Sequence, residues 1–188
     1  ARGAAGVYVF NWHANESTRR QALSTLGTPE TLRGQDKAYT AVHRSIGTNA
    51  LRQDSERDDR IYGEVPVDLY RTLTGDGPTF YISTYESDVS AVKSVQLLIE
   101  MAHFSPTADE VAVSLNGAPL GPPAVHNATA VDPNNPAEVD ENSWLVWELD
   151  AAQAAGDHEV KVVLVARDPR IRPPLTIEHV EIWVNMVY

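Results

Sequence analysis

The chain has 188 residues, of which 43% are hydrophobic and 22% are charged, a composition typical of an ordinary globular protein. Its net charge of −11 argues against nucleic-acid binding and against attachment to an anionic membrane surface. The absence of cysteine excludes disulfides and thiolate metal sites. No apolar run approaches the ~20 residues that a membrane-spanning helix needs.

An uninterrupted apolar run, Val7–Phe10, lies near the start of the chain. Such runs are typical of parallel strands that are buried on both faces. Helical patterns follow over residues 16–47, and the second predicted helix runs from about Glu30 to Val42, directly after Pro29. A strand followed by helix forms half of a βαβ unit.

Residues 51–62 are predicted to form a charged linker between residues 1–50 and a β-domain that spans residues 63–188. In the second part, short segments rich in β-formers are separated by Gly, Pro, Asn and Asp, and several of them alternate between apolar and polar residues. Asn116-Gly117 predicts a tight hairpin. The predicted fold is therefore mainly β, an antiparallel, jelly-roll-like β-sandwich preceded by a short strand–helix segment. The predicted strands are Val65–Leu73, Thr79–Thr84, Ser94–Met101, Glu110–Leu115, Ser143–Leu149, Glu159–Ala166 and Ile177–Tyr188.

Several short motifs resemble those of a known group of proteins. The sequence GAAGVYVFNWH, residues 3–13, resembles the eighth strand of a (β/α)8-barrel glycoside hydrolase, and residues 22–43 resemble the last barrel helix region. The segments Val111–Gly117, Gly156–Val160 and Ile177–Tyr188 are similar to the jelly-roll, galactose-binding-like accessory domains that often follow such barrels.

The resemblance implies that the chain is the C-terminal accessory region of a glycoside hydrolase-like protein. Such a region supports the catalytic barrel and binds carbohydrate, so its expected partners are a carbohydrate or the barrel itself. The resemblance also implies an extracellular or periplasmic location, although no signal peptide is visible in this sequence. In the alternative hypothesis, the chain is a structural or assembly subunit whose N-terminal strand pairs with another chain, including another copy of itself.

Glycoside hydrolysis needs two facing carboxyl groups roughly 5–10 Å apart. Glu16, Glu86 and Asp88 lie in predicted loops, but with 26 acidic residues close pairs are expected by chance. We therefore predict no catalytic residue in this chain, and we expect the catalytic pair to belong to other strands of the barrel.

Two sets of residues are candidates for carbohydrate binding. Asn11, Trp12 and His13 follow the first strand, at the end where the active sites of barrels lie. The flat face of an indole suits the C–H face of a pyranose, and the amide and imidazole are suited to hydroxyl groups. The alternative is structural, with Trp12 packed beneath a loop.

The second candidate set is Trp144 with the loop amides of Asn134, Asn135 and Asn142. Trp144 and Trp147 are three residues apart, so they lie on opposite faces of a regular strand. Trp147 shares its face with leucines and is predicted to be buried, whereas Trp144 is predicted to be exposed or to lie beneath the long loop. Ordinary packing of both indoles is the alternative.

Asp132, Asp140 and Glu141 carry oxygen ligands of the kind that calcium accepts. Their spacing matches no EF-hand loop, so a solvated acidic loop is the alternative to a structural calcium site. No other cofactor is predicted, because the sequence contains no zinc-binding histidine motif and no phosphate-binding or dinucleotide-binding glycine loop.

Overall fold

A computed structural model describes residues 32–41, 65–69, 76–127 and 142–187. These residues form ten strands and two short 3-10 turns, Val89–Ala91 and Ala151–Ala154. Within the described ranges, no helix is long and apolar enough to cross a membrane. The strands are β1 (Lys37–Thr40), β2 (Val67–Leu69), β3 (Thr79–Tyr85), β4 (Val92–Ala102), β5 (Asp109–Leu115), β6 (Ala118–Pro119), β7 (Ala124–His126), β8 (Asn142–Leu149), β9 (Ala155–Arg167) and β10 (Leu175–Met186).

The described strands form two antiparallel sheets. The larger sheet has the order β1-β10-β4-β8-β7, and β2 pairs with β10 on the same side as β1. The smaller sheet has the order β3-β9-β5-β6. The long strands β3, β4, β5, β8, β9 and β10 alternate between the two sheets along the chain, as in a jelly roll. The predicted antiparallel β-sandwich is thus confirmed.

One hydrophobic core lies between the sheets, because each long strand buries every second side chain. Burial of one such side chain contributes about 1.5–3 kcal/mol, so the core fixes which side chains of each strand face outward. The largest fully buried side chains of the strands, which come from both sheets, are Phe80, Leu97, Ile99, Met101, Leu145, Leu164, Leu175, Ile177 and Ile182.

The predicted hairpin is confirmed at the end of β5. Asn116 and Gly117 have φ angles of 52° and 78°, and they form the two-residue connection between Leu115 and Ala118. Two positive φ angles suit the right-handed twist of the flanking strands, which explains the preference for Asn-Gly at this position.

The helix predicted from Glu30 to Val42 is wrong at Lys37–Thr40, which form strand β1 and pair with β10 of the sandwich. The physical reason is that two side chains of this strand bind the same carboxylate, that of Glu86. Lys37 Nζ lies 3.0 Å from the Glu86 carboxylate and Tyr39 Oη donates to it at 2.6 Å. Residues two apart point to the same side only in a strand, and these contacts outweigh the local helix propensity.

The remainder of the predicted N-terminal segment lies outside the described residues. This applies to the apolar run of residues 7–10, to the first predicted helix and to the linker of residues 51–62. The proposed domain boundaries remain predictions, although β1 precedes the predicted linker and belongs to the larger sheet of the sandwich.

A buried ion pair connects β5 and β9 with the loops at one end of the sandwich. Arg167 Nη1 lies 2.9 Å from Asp109 Oδ1, and both side chains are almost completely buried. Asp109 Oδ2 accepts from the Ser105 amide at 2.8 Å. Arg167 Nη2 donates to the carbonyl oxygens of His103 and Pro173. Arg167 therefore connects the loop that contains His103 and the loop that contains Pro173 to the ion pair.

A second polar contact is buried at the opposite end of β9. His158 Nε2 lies 2.9 Å from Thr84 Oγ1, which also donates to the carbonyl of Gln153 at 3.1 Å. His158 is 2% exposed, and its Nδ1 has no hydrogen-bond partner among the described residues. Burial lowers the pKa of His158 below its ordinary value of 6.5.

Replacing Asp109 with alanine leaves the buried guanidinium of Arg167 without its carboxylate. We expect a loss of about 3–5 kcal/mol in the free energy of unfolding, measured by urea denaturation. The matched control is Arg170→Ala, which removes an exposed ion pair with Asp168 and should change stability little. Equal effects of the two substitutions would contradict a structural role for the buried pair.

The depressed pKa of His158 predicts a pH dependence of stability. Below pH 6.5 the unfolded chain takes up a proton that the folded state disfavours, so stability is complete above this value and falls as the pH drops below it. The slope from this one group is at most about 1.4 kcal/mol per pH unit. His158→Gln should show a shallower decline between roughly pH 7 and pH 5 than the wild type. Parallel stability curves for the two proteins would refute the assignment.

Candidate functional site

The outer face of the larger sheet carries an aromatic and polar cluster at the start of β8. The side chains of β8 alternate, so that Ser143, Leu145 and Trp147 are buried while Trp144 is half-buried on the outer face. Trp147 is 6% exposed and its Nε1 donates to the carbonyl of Gly121 at 2.7 Å. The predicted opposite orientation of the two indoles is confirmed.

The strand register places four chemically useful side chains in one row across the sheet. Trp144 on β8 lies opposite His126 on β7 and opposite Glu100 on β4. Glu100 in turn lies opposite His179 on β10. The row consists of side chains from four strands that are far apart in sequence, so only the sheet topology brings them together.

We call Trp144, Glu100, His179 and Asn142 the Trp144 cluster. The indole of Trp144 and the imidazole of His179 are nearly parallel, with planes inclined by 14° and centroids 6.3 Å apart. The Asn142 amide donates to Glu100 Oε1 at 3.0 Å, and His179 Nε2 lies 3.6 Å from Glu100 Oε2. The cluster thus combines two aromatic rings with a carboxylate that is only 15% exposed.

A β-bulge in β10 brings His179 into this row. The pairing of β10 with β4 shifts between Ile177, opposite Met101, and His179, opposite Glu100. The extra residue, Glu178, allows Ile177 and Val180 both to point into the core. Bulges of this kind redirect a side chain and are frequent beside functional sites.

A separate, partly apolar surface lies beside the cluster along the sheet. Val146 and Leu98 face each other in the next row and are half-buried. Beyond them lies Trp183, 41% exposed, whose Nε1 donates to Glu181 Oε2 at 2.6 Å. The outer face therefore offers one partly buried and one well-exposed indole, separated by aliphatic side chains and bordered by carboxylates.

The structure brings together two of the predicted carbohydrate-binding residues, Trp144 and Asn142, which are two residues apart in β8 and share its outer face. The loop amides of Asn134 and Asn135 lie outside the described residues. The same holds for the other predicted site residues, namely Asn11, Trp12, His13, Asp132, Asp140 and Glu141. In the described part of the chain, no group of three or more acidic or histidine side chains is arranged to hold a metal ion.

Two of the acidic residues that lie in predicted loops, Glu86 and Asp88, have structural partners. The Glu86 carboxylate is bound by Lys37 and Tyr39, and burial, together with the hydrogen bond to this carboxylate, raises the pKa of Tyr39. Asp88 Oδ1 accepts from the hydroxyl and the amide of Ser90, which lowers the pKa of this exposed carboxyl group. Glu86 attaches β1 to the sandwich, and Asp88 caps a 3-10 turn.

A second surface carries exposed aromatic side chains that were not predicted from the sequence as a site. On the outer face of the smaller sheet, Tyr81 is 64% exposed and Tyr85 is 49% exposed. Both belong to β3, in which Phe80, Ile82 and Thr84 point inward. The alternation along Thr79–Tyr85 contained the necessary information, since it predicts that the two tyrosines share the face opposite the core.

The fold and these surfaces define an antiparallel β-sandwich with aromatic side chains on both outer faces. No protein-family model matches the sequence, and no curated protein is significantly similar to it.

Proposed function

We propose that this chain is the C-terminal accessory region of a glycoside hydrolase-like protein, and that its β-sandwich supports the barrel and binds carbohydrate through the Trp144 cluster. The observation that carries the carbohydrate part is the half-buried indole of Trp144, next to a carboxylate that Asn142 holds in place. The sequence resemblance is the basis for proposing a glycoside hydrolase-like parent protein. The outer face of the larger sheet is the surface that we propose for carbohydrate binding.

The chemistry of the cluster suits a pyranose better than a purely apolar ligand. An indole face provides a flat apolar platform for axial C–H groups, and aromatic contacts of this type are worth about 0.5–1.5 kcal/mol beyond area burial. The carboxylate of Glu100 accepts hydrogen bonds from hydroxyl groups, and the imidazole of His179 donates or accepts according to its tautomer. The ligand thus receives apolar contact on one side and hydrogen bonds at its rim.

The open position of the cluster on a sheet face sets the expected affinity. A site that covers one sugar on a single side buries little ligand surface, and hydrogen bonds to exposed groups contribute modestly after the exchange with water. We therefore expect dissociation constants on the order of 0.1–1 mM for a short oligosaccharide. Avidity on a polymer would raise the effective affinity.

Replacement of Trp144 with alanine should weaken binding at least tenfold, because loss of about 1.4 kcal/mol of contact energy corresponds to this factor. Affinity electrophoresis in gels containing soluble neutral polysaccharides measures the effect. Trp183→Ala is the matched control, since it removes an exposed indole from the same sheet face outside the cluster. Thermal unfolding of each variant shows whether the fold is intact.

Two further results would decide whether Trp144 contacts the carbohydrate or only packs against other side chains of the protein. Glu100→Gln preserves the shape of the side chain while removing its charge, so it should weaken binding by a smaller factor than Trp144→Ala. If Trp144→Ala retains full binding, or if Trp183→Ala is equally damaging, the Trp144 cluster is not the site.

A further inference from the structure

The outer face of the smaller sheet presents an exposed aromatic and acidic row on strands β3 and β9. Tyr81, Ser83 and Tyr85 point outward from β3, which is the edge strand of this sheet. In β9, Glu159 lies opposite Tyr81 and Asp157 lies opposite Ser83. We call these five residues the tyrosine strip.

The polar members of the strip hold defined positions. Ser83 Oγ donates to Asp157 Oδ1 across the two strands. The backbone amide of Glu159 donates to Asn116 Oδ1 at 2.8 Å, and the backbone amide of Asn116 donates to the Glu159 carbonyl at 2.8 Å. These contacts join β9 to the hairpin after β5, so the backbone at Glu159 is held by β3 on one side and by the hairpin on the other.

Two shallow clefts lie along the strip. One cleft, of about 380 Å³, is lined in part by Tyr81, Asn116 and Glu159. The other, also of about 380 Å³, is lined in part by Tyr85 and Gly156. Asp157 lines both clefts and therefore lies where they meet. The two clefts thus follow one another along β3, with Tyr81 in one, Tyr85 in the other and Asp157 in both.

The spacing of the tyrosines determines the size of a ligand that contacts both. Tyr85 lies four residue steps after Tyr81 in the extended strand, which corresponds to about 13 Å along β3. A monosaccharide is too short to reach both rings, whereas an extended oligosaccharide of several units reaches them together. The strip should therefore discriminate by chain length.

The charges along the strip determine which oligosaccharides it accepts. Asp157 and Glu159 lie on the surface beside the rings, whereas Lys161 lies opposite Thr79, beyond Tyr81, and lines neither cleft. Carboxylates accept hydrogen bonds from sugar hydroxyls, and they repel uronic acids and sulfated sugars. An ammonium group would gain an ion pair with a carboxylate and a cation–π contact with a tyrosine ring.

From this arrangement we propose that the tyrosine strip is a second carbohydrate-binding site, which takes a linear neutral or amine-bearing oligosaccharide and rejects acidic ones. The proposal rests on the proposed function in so far as both assign carbohydrate as the ligand. It differs in location, because the strip and the Trp144 cluster lie on different sheets and share no residue.

Isothermal titration calorimetry of the full chain tests the strip directly. The probes are neutral β-linked pentasaccharides of glucose, mannose and N-acetylglucosamine, the matching monosaccharides, a glucosamine pentamer and a galacturonic acid pentamer. We expect binding of at least one neutral pentamer and of the glucosamine pentamer, the latter weakened by salt. We expect no measurable binding of the monosaccharides or of the acidic pentamer at the strip.

Substitutions in the tyrosine strip test whether the pentamers bind there. The double substitution Tyr81→Ala with Tyr85→Ala, made in a Trp144→Ala background, should reduce the remaining affinity for pentamers at least tenfold. Tyr81→Phe with Tyr85→Phe preserves both rings and should retain affinity within about threefold. Val165→Ala is the matched control, since it shortens an exposed side chain of β9 on the same sheet and should change nothing.

The outcomes separate the two proposals. If Trp144→Ala abolishes all binding and the tyrosine variants have no effect, the strip is not a site, while the Trp144 cluster stands. If the double tyrosine variant alone abolishes binding, the strip stands and the Trp144 cluster is refuted. Absence of binding to every pentamer overturns both, and equal binding of the acidic pentamer at the strip overturns the charge argument.

Discussion

The burial of every second side chain in each long strand is the constraint on which the rest of this structure depends. Phe80 and Ile82 are 1% and 2% exposed, and they therefore hold Tyr81 on the opposite face of β3. Leu145 and Trp147 do the same for Trp144 in β8. A shift of either strand by one residue would place apolar groups in water and aromatic rings in the core, so the outer surfaces are fixed by the inner ones.

The bulge in β10 shows how the same constraint assembles the Trp144 cluster. Strict alternation from Ile177 would place residue 179 inside and residue 180 outside, which would expose Val180 and bury an imidazole. The extra residue in the bulge resets the alternation, so that Val180 enters the core and His179 lies opposite Glu100. Burial of the valine and placement of the histidine beside Trp144 are two consequences of one irregularity.

Period-two alternation in a single sequence was sufficient to predict most strands of the sandwich and the opposite faces of Trp144 and Trp147, and the Asn116-Gly117 dipeptide was sufficient to predict the hairpin. It was insufficient for Lys37–Thr40, where the strand is stabilised by contacts with β10 and with Glu86, which are remote in sequence. The meeting of Trp144 with Glu100 and His179 could not be predicted either, since it depends on the order of β8, β4 and β10 in the sheet. Tyr81 and Tyr85 could have been found from the alternation alone.

The two proposed surfaces have a joint consequence because they lie on opposite outer faces of one sandwich. The sheets are stacked about 10 Å apart, and the side chains on the two outer faces point in opposite directions, so a short ligand cannot contact both surfaces. The two surfaces together could bind two polysaccharide chains, or two segments of one long chain, at the same time. Such bivalent contact raises retention on a polymer well beyond the affinity of either surface. Such retention agrees with the proposed role of an accessory region, which would keep a polymer close to a catalytic barrel.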